Sequence, residues 1–593
     1  HDVRVRTILR NPEGVIVGTV QSGMPEHTHQ TCTEVKLPAL TLENPQLWSC
    51  ESPQLYNAEV VVTADGMVVD SLTGQFGIRS LEFSPEFGFK LNGKKIFLQG
   101  NANHHDLGAL GATCYDKAIE RMMLQLKSFG YNCIRCSHNP YSDSFARIAD
   151  RVGMLVVNEL TDKWSDNDYW GGRQPFTHIW HKLITEWIKR DRNRPSIILW
   201  SLGNELQIRE GWAGFEGTND WGITTYNIFN QLVKRWDHTR LTTVAMFPAR
   251  AGAITRHDKE FNDYLVPPEL ACATEVASFN YQSDKYDAYL KYRPDLILFQ
   301  SEAETSNLLQ PYYNMDKERM VGIAYWGSVE YWGESNKWPK KGWNYSFFEH
   351  TMRPYPQAYL IKTAFMPEIP EVHIGVVDAA GAESVSWNDV IVGRMALNEC
   401  WNHTPGSRRS LFTFTNAHSV ELLVNGQSMG IQKNDTTRAN LRNMIYWKDV
   451  PYGNGGSVVA IARDKSGKEV ARHRIETAGK AVALRIEAET PTDWKADGMD
   501  LQYINVTVID KKGRPVWDYN EPLTLQMEGA ARLVALDNGD HYTDELFHGI
   551  TSKRMYQGRM QIILRSDQEA GNVTVKISSA GLKGTLRLKT IKE

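Results

Sequence analysis

The chain has 593 residues, of which 66 are basic and 70 acidic, giving a formal net charge of −4. That near balance removes the electrostatic case for nucleic acid or an anionic membrane surface as a partner. The length exceeds one ordinary domain and implies about three to five, and no apolar run reaches the ~18–20 residues that a membrane span needs.

The opening run His1-Asp2-Val3-Arg4-Val5-Arg6 lacks the features of a signal peptide and reads as the middle of a strand, which implies a processed or truncated N-terminus. Residues 1–85 read as an immunoglobulin-like β-sandwich, with strands at 15–20 and 56–62 and an Asp65-Gly66 hairpin turn. From 86 to 370 the texture changes to short apolar strands alternating with amphipathic helices. Strand candidates lie at 96–101, 132–137, 154–159, 197–203, 241–246, 275–280, 296–301 and 321–326, and clear helices at 116–129, 142–152 and 176–191, with Asp116 as an N-cap. Eight strand–helix units of this total length match a (β/α)8 TIM barrel. A doubly wound open sheet is disfavoured, because no strand runs into a G-x-G-x-x-G turn. After the barrel the pattern returns to β, with an Asn425-Gly426 turn in a sandwich at 371–480 and a second sandwich at 481–593. The fold class expected is therefore a multidomain chain with a central barrel flanked by immunoglobulin-like β-sandwich domains.

Seven cysteines are scattered at 32, 50, 114, 133, 136, 272 and 400, an odd, sparse set that argues against a disulfide scaffold. Cys133 and Cys136 form a C-x-x-C, but inside a strand and without a second pair at zinc spacing, so it reads as core.

In a barrel of this kind the chemistry gathers at the C-terminal strand ends. The first strand runs toward His104, the second ends at His138-Asn139, the fourth at Asn204-Glu205, the sixth at Asn280-Tyr281, the seventh at Glu302 and the eighth at Trp326. Two carboxylates on different strands of one mouth suggest glycoside hydrolysis, one group protonated to serve the leaving oxygen and the other ionised. A gap of about 5–5.5 Å between them would give retention and about 6.5–9.5 Å inversion.

Leu199-Trp200-Ser201-Leu202-Gly203-Asn204-Glu205 resembles the acid/base strand of glycoside hydrolase family 2, and Ile297-Leu298-Phe299-Gln300-Ser301-Glu302 its nucleophile strand. Ile134-Arg135-Cys136-Ser137-His138-Asn139-Pro140 and His104-His105-Asp106-Leu107-Gly108-Ala109-Leu110-Gly111 are similar to the family's second-strand motif and to the first-strand loop of its β-galactosidase-like members. The resemblance implies a retaining exo-β-glycosidase with Glu205 as acid/base and Glu302 as nucleophile. It further implies Asn204 on the sugar 2-hydroxyl, His104 and His138 on substrate, Arg135 orienting the nucleophile, Tyr281 bonding it and Trp326 flooring the sugar site; Asp162 and Trp164 are candidates for lining the subsite. It implies no cofactor, and the E-x-H after the third strand that binds magnesium in large β-galactosidases is replaced by Glu159-Leu160-Thr161, so no metal is expected. The family's usual N-terminal jelly-roll domain is expected to be missing ahead of residue 1.

Glu304 is the rival to Glu302, Glu330 and Glu334 read as rim residues, and Lys337, Lys340 and Lys341 read as a solvated loop whose sharper alternative is recognition of an acidic sugar. The function expected is β-galactosidase-like hydrolysis of an oligosaccharide or polysaccharide. A β-glucuronidase, a β-mannosidase or a non-catalytic carbohydrate-binding protein are the alternatives. Secretion or periplasmic export is expected from such a role, and the sequence leaves assembly as a homo-oligomer open.

Overall fold

The computed structural model describes residues 2–23, 35–164, 175–206, 220–247, 266–305, 309–335, 337–378, 383–387 and 390–592. Strands β1 (Val3–Arg10), β2 (Ile16–Gly23), β3 (Tyr56–Ala64) and β4 (Met67–Phe76) form an antiparallel sheet in the order β2-β1-β3-β4. Asp65 and Gly66 join β3 to β4 with φ of 51° and 82°, the left-handed pair that matches a two-residue hairpin to strand twist. A small sheet of β5 (Leu81–Ser84), β6 (Gly88–Leu91) and β7 (Lys94–Lys95) follows.

At the centre is a closed parallel barrel, flanked by antiparallel sandwich-like sheets. Its strands are β8 (Leu98–Asn103), β9 (Cys133–Cys136), β10 (Leu155–Glu159), β11 (Ile197–Asn204), β12 (Leu241–Met246), β13 (Val276–Asn280), β14 (Leu298–Ala303) and β15 (Gly322–Trp326). Every residue of β9, β10, β11, β13, β14 and β15 is buried. Parallel strands covered on both faces cannot alternate polar with apolar, which is why they read as continuous apolar runs. The first strand begins two residues later than its sequence pattern suggests, because the Ile96 N–H is spent on the Phe89 carbonyl of the preceding small sheet (3.1 Å), whereas the Leu98 N–H donates to Val321 (2.9 Å). That shift brings His104 directly after the strand end.

Helix α1 (Asp116–Ser128) buries Ala118, Ile119, Met122, Met123 and Leu126, one stripe of an amphipathic helix. Its N-cap is Tyr115 and makes no side-chain cap bond; Asp116 lies in the first turn, where a negative charge suits the helix dipole, rather than at the cap. Helix α2 (Asp143–Val152) is capped by Ser142, whose hydroxyl accepts the Phe145 N–H, and is stopped by Gly153 in the left-handed region. Cys133 and Cys136 are free, buried thiols.

The chain divides into two compact units, one made of His1–Leu98, Asn132–Gln300 and Asp316–Gly322, the other of Gln99–Tyr131, Ser301–Met315 and Ile323–Glu593. In the first, the fully buried Trp48 donates its indole N–H to the Asp150 carbonyl (2.8 Å), and Arg79 reaches the Pro195 and Ile197 carbonyls (2.6 and 3.0 Å) at the start of β11. The second holds two pairs of four-stranded antiparallel sheets. One pair closes over Trp401, Leu411, Val420, Leu422 and Trp447, the other over Trp494, Ile504, Leu536, Ile562 and Val575. Asn425 and Gly426 turn between Ser419–Val424 and Gln427–Lys433 with positive φ, again a hairpin turn.

Candidate active site

In the first unit the strand ends carry one connected, buried polar network whose centre is Glu159, the last residue of β10. Its carboxylate accepts Arg135 Nε and Nη2 (3.1 and 2.7 Å), Ser201 Oγ (2.6 Å) and His138 Nδ1 (2.6 Å). Arg135 also donates to Asn204 Oδ1 (3.0 Å), and the Asn280 amide donates both to Asn204 Oδ1 (3.0 Å) and to Glu205 Oε1 (3.2 Å). Asn204 Nδ2 donates to Asp162 (3.0 Å), which also accepts the Lys163 ammonium at 2.6 Å. Asn204 therefore has both ends of its amide fixed, with its oxygen accepting and its nitrogen donating, which sets the orientation of the amide.

Burial opposes the charges of Glu159, His138 and Asp162. It would raise the Glu159 carboxyl, but the Arg135 charge and the His138 bond outweigh it and hold Glu159 below its ordinary range. Burial would likewise lower His138, but its bond to Glu159 raises it. Asp162 is held low despite burial by His138 and Lys163. Glu205 and Tyr281, the residues just past β11 and β13, take φ of 48° and 59°. Non-glycine residues rarely adopt this region, and such strain gathers at functional sites.

Trp164 is the other candidate for lining the subsite. It is wholly buried, its indole N–H bonds the Leu202 carbonyl at 2.8 Å, and it packs edge-on against Phe229. A Cβ on Gly203 would stand 2.7 Å from that indole nitrogen, so Trp164 and Gly203 together shape the end of β11.

In the second unit Glu302 is buried within β14, and its rival Glu304 lies one residue beyond the strand. His104 packs edge-on against Trp326 (5.1 Å) and Tyr331 (4.9 Å), and its Nε2 lies 3.7 Å from Glu334. The fully buried Tyr331 donates its hydroxyl to Glu334 and stacks on Trp343. Burial raises its phenol, and the charges of Glu334 and Glu302 act in the same direction. Asn101 and Asn103 accept the Ser328 and Val329 N–H groups (3.2 and 3.4 Å) and so hold the turn that follows β15.

Sequence reasoning misplaced two charges here. Glu330, expected at the rim, is completely buried and accepts Tyr355 Oη (2.6 Å) and His350 Nδ1 (3.0 Å). Lys340, expected in a solvated loop, is buried with its ammonium 4.0 Å over the Tyr345 ring; Lys337 is exposed. Sequence reasoning listed Asn280 only as the end of its strand and missed Glu159 and Tyr331 as site residues. The signal for Glu159 was available, since it ends an apolar barrel strand.

Carboxylates at the ends of parallel barrel strands, with amide, guanidinium and imidazole partners, define a barrel glycoside hydrolase. Residues 86–317 match the description "Glycosyl hydrolases family 2, TIM barrel domain", residues 1–79 "Glycosyl hydrolases family 2", residues 484–586 "Glycoside hydrolase family 2 C-terminal domain 5", and residues 406–471 a domain of unknown function. The chain belongs to glycoside hydrolase family 2 and is a glycosidase of β-linked sugars. It is similar to a β-galactosidase of Bacteroides ovatus, 27% identical over 98% of this chain and 71% of that protein. It is also similar to a putative β-glucuronidase of Formosa agariphila, 41% identical over 95% of this chain, and it spans 55% of that protein's length. A family 2 member from Bacteroides cellulosilyticus superposes with a TM-score of 0.89 at 28% identity, covering 100% of this chain and 75% of that one. The match of residues 1–79 corrects the expectation of a member without its N-terminal domain. Within that matched stretch β1 is paired along its length with β2 on one side and β3 on the other.

Proposed function

We propose that this chain is a retaining exo-β-glycosidase with Glu302 as nucleophile and Glu205 as general acid/base. The observation that carries the reading is the placement of these two buried carboxylates, one directly after β11 and one within β14, at the strand ends where parallel barrels hold their catalytic groups. Glu302 attacks the anomeric carbon while Glu205 gives its proton to the departing oxygen. Water, deprotonated by Glu205, then displaces Glu302 and releases the sugar.

The remaining chain groups serve positioning. Asn204, pinned by Arg135, Asn280 and Asp162, presents a preset amide to the sugar 2-hydroxyl. His138, oriented by Glu159, and His104, set against Trp326, contact substrate. Asp162 borders the subsite, Trp326 floors it, and Arg135 and Tyr281 orient the nucleophile.

The sugar is galactose-like, supported by the His104–Gly111 loop and by the Bacteroides ovatus relative. A β-glucuronide is the second reading, favoured by the Formosa agariphila relative and by the buried Lys340 cation. A panel of aryl β-glycosides separates the two. Glu302→Gln should abolish turnover without unfolding, Glu205→Gln should retain rate only on substrates with good leaving groups, and the first-formed sugar should keep the β configuration by proton NMR. Near-normal activity in both variants, or an inverted product, defeats the reading.

A further inference from the structure

The buried carboxylate that sequence reasoning placed at the rim, Glu330, belongs to a clamp between the turn after β15 and the family 2 C-terminal domain, all within one unit. Glu330 accepts the His350 backbone N–H (3.2 Å) and Nδ1 (3.0 Å), and His541 Nδ1 lies 3.3 Å away. The other His350 nitrogen bonds Asp537 Oδ1 at 2.9 Å, at the end of strand Ala531–Asp537. Ligand atoms of Glu330, His350 and His541 lie within 4.8 Å of one another, as a metal site would require. Both His350 nitrogens nevertheless face carboxylates, so both carry protons and neither offers a lone pair. The group is an imidazolium held between two acids.

This clamp has a direct line to the aromatic wall. Trp332 stacks on His541 (5.1 Å between centroids, 28° between planes) and packs against His350 (4.6 Å) and Phe547 (5.4 Å). On its other side its backbone N–H bonds Asp106 (3.1 Å) and its indole N–H the Gly108 carbonyl (2.6 Å), in the loop that follows His104. The preceding residue is Tyr331, which faces His104 and feels the charge of Glu302.

We propose that Asp537, acting through His350 and assisted by His541, is a positioning residue that fixes the Glu330–Trp332 segment and thereby sets Tyr331 beside the nucleophile. The proposal rests on the catalytic reading above. The charged and titratable groups around His350 are Glu330, Asp537, His541, Glu349 and Asp106, with Arg394 beside Glu330 and Lys553 beside Asp537. Burial opposes the His350 charge, but Asp537 and Glu330 raise it well above its ordinary value, so the clamp is intact from mildly acidic to neutral pH, is lost as pH rises through that raised value, and is lost at the acid end as pH falls through the lowered values of Glu330 and Asp537.

The test is Asp537→Asn in the full chain, read by hydrogen exchange and by kinetics on aryl β-glycosides. Exchange should rise in peptides covering residues 326–335 and stay unchanged in those covering β10 and β11. The kcat should fall roughly ten- to hundredfold with KM changed less than about threefold, and the alkaline limb of the rate profile should move to lower pH. Unchanged exchange at 326–335 overturns the clamp, and raised exchange with wild-type kinetics and pH profile overturns its positioning role. Should Asp537→Asn fail to fold, His541→Asn is judged by the same measurements. A wild-type chain that cleaves no β-glycoside would defeat the catalytic reading, and exchange alone would then decide the clamp.

Discussion

Glu159→Gln removes the charge at the centre of the strand-end network while keeping its shape. Glu159 and Arg135 are both buried, 2.7 Å apart, so neither is rescued by water when the other is neutralised. Breaking a buried pair from one side costs about 3–5 kcal/mol, which for a barrel-sized domain is a fall of roughly 6–20 °C in Tm. The pH dependence carries a sign. Burial raises Glu159, but Arg135 and His138 bring it below its ordinary value of 4.5, so its contribution is full above that value and is lost as pH falls through the lowered one. Burial lowers His138, but Glu159 brings it above its ordinary value of 6.5, so its contribution is full below that value and is lost as pH rises through the raised one. The stability gap between wild type and variant should therefore be widest between pH 4.5 and 6.5. Thermal melts followed by circular dichroism across that range measure it, and the variant's kcat should fall about a hundredfold as Arg135 and Asn204 lose their common support. A gap below about 1 kcal/mol, flat with pH, would refute the claim that this charge organises the site.

A Cβ on Gly100 would stand 2.9 Å from the Ala324 Cβ, across the β8–β15 contact; Gly100→Ala should cost about 1–3 kcal/mol in chemical denaturation, and a change within 0.5 kcal/mol would show that the strands yield. Cys133 and Cys136 are buried thiols that burial pushes up, whereas Cys114 is exposed. Under native conditions a thiol reagent should modify Cys114 and spare the pair by mass spectrometry, and modification of the pair at the Cys114 rate would be inconsistent with a closed barrel wall. If the sugar is a uronide read by Lys340, Lys340→Met should raise KM at least about tenfold for an aryl β-glucuronide and leave the galactoside within about threefold; equal losses would assign Lys340 to packing.

The barrel was legible because its strands are buried on both faces. Six of them consist wholly of buried residues, and a run such as Ile197–Asn204 has no other place to go. The strand-end rule then named Glu205, Glu302, Asn204 and His138 without any knowledge of their neighbours. It failed where a role depends on what the fold brings from elsewhere. Glu159 ends a strand as plainly as Asn204 does, but its weight comes from Arg135 and Ser201 on the strands to either side, which pattern alone does not pair. Glu330 is the sharper case. Its local sequence, Ser328-Val329-Glu330-Tyr331-Trp332, is that of a turn at the rim, and a lone carboxylate there belongs in water. It is buried because His350 and His541 reach it, and His350 is charged because Asp537, some two hundred positions away, reaches the other side of its ring. A charge is sheltered by partners rather than by its neighbours in sequence, so the polar layer behind a catalytic strand end is the part of an enzyme least visible in its sequence and most exposed to a single substitution in a distant domain.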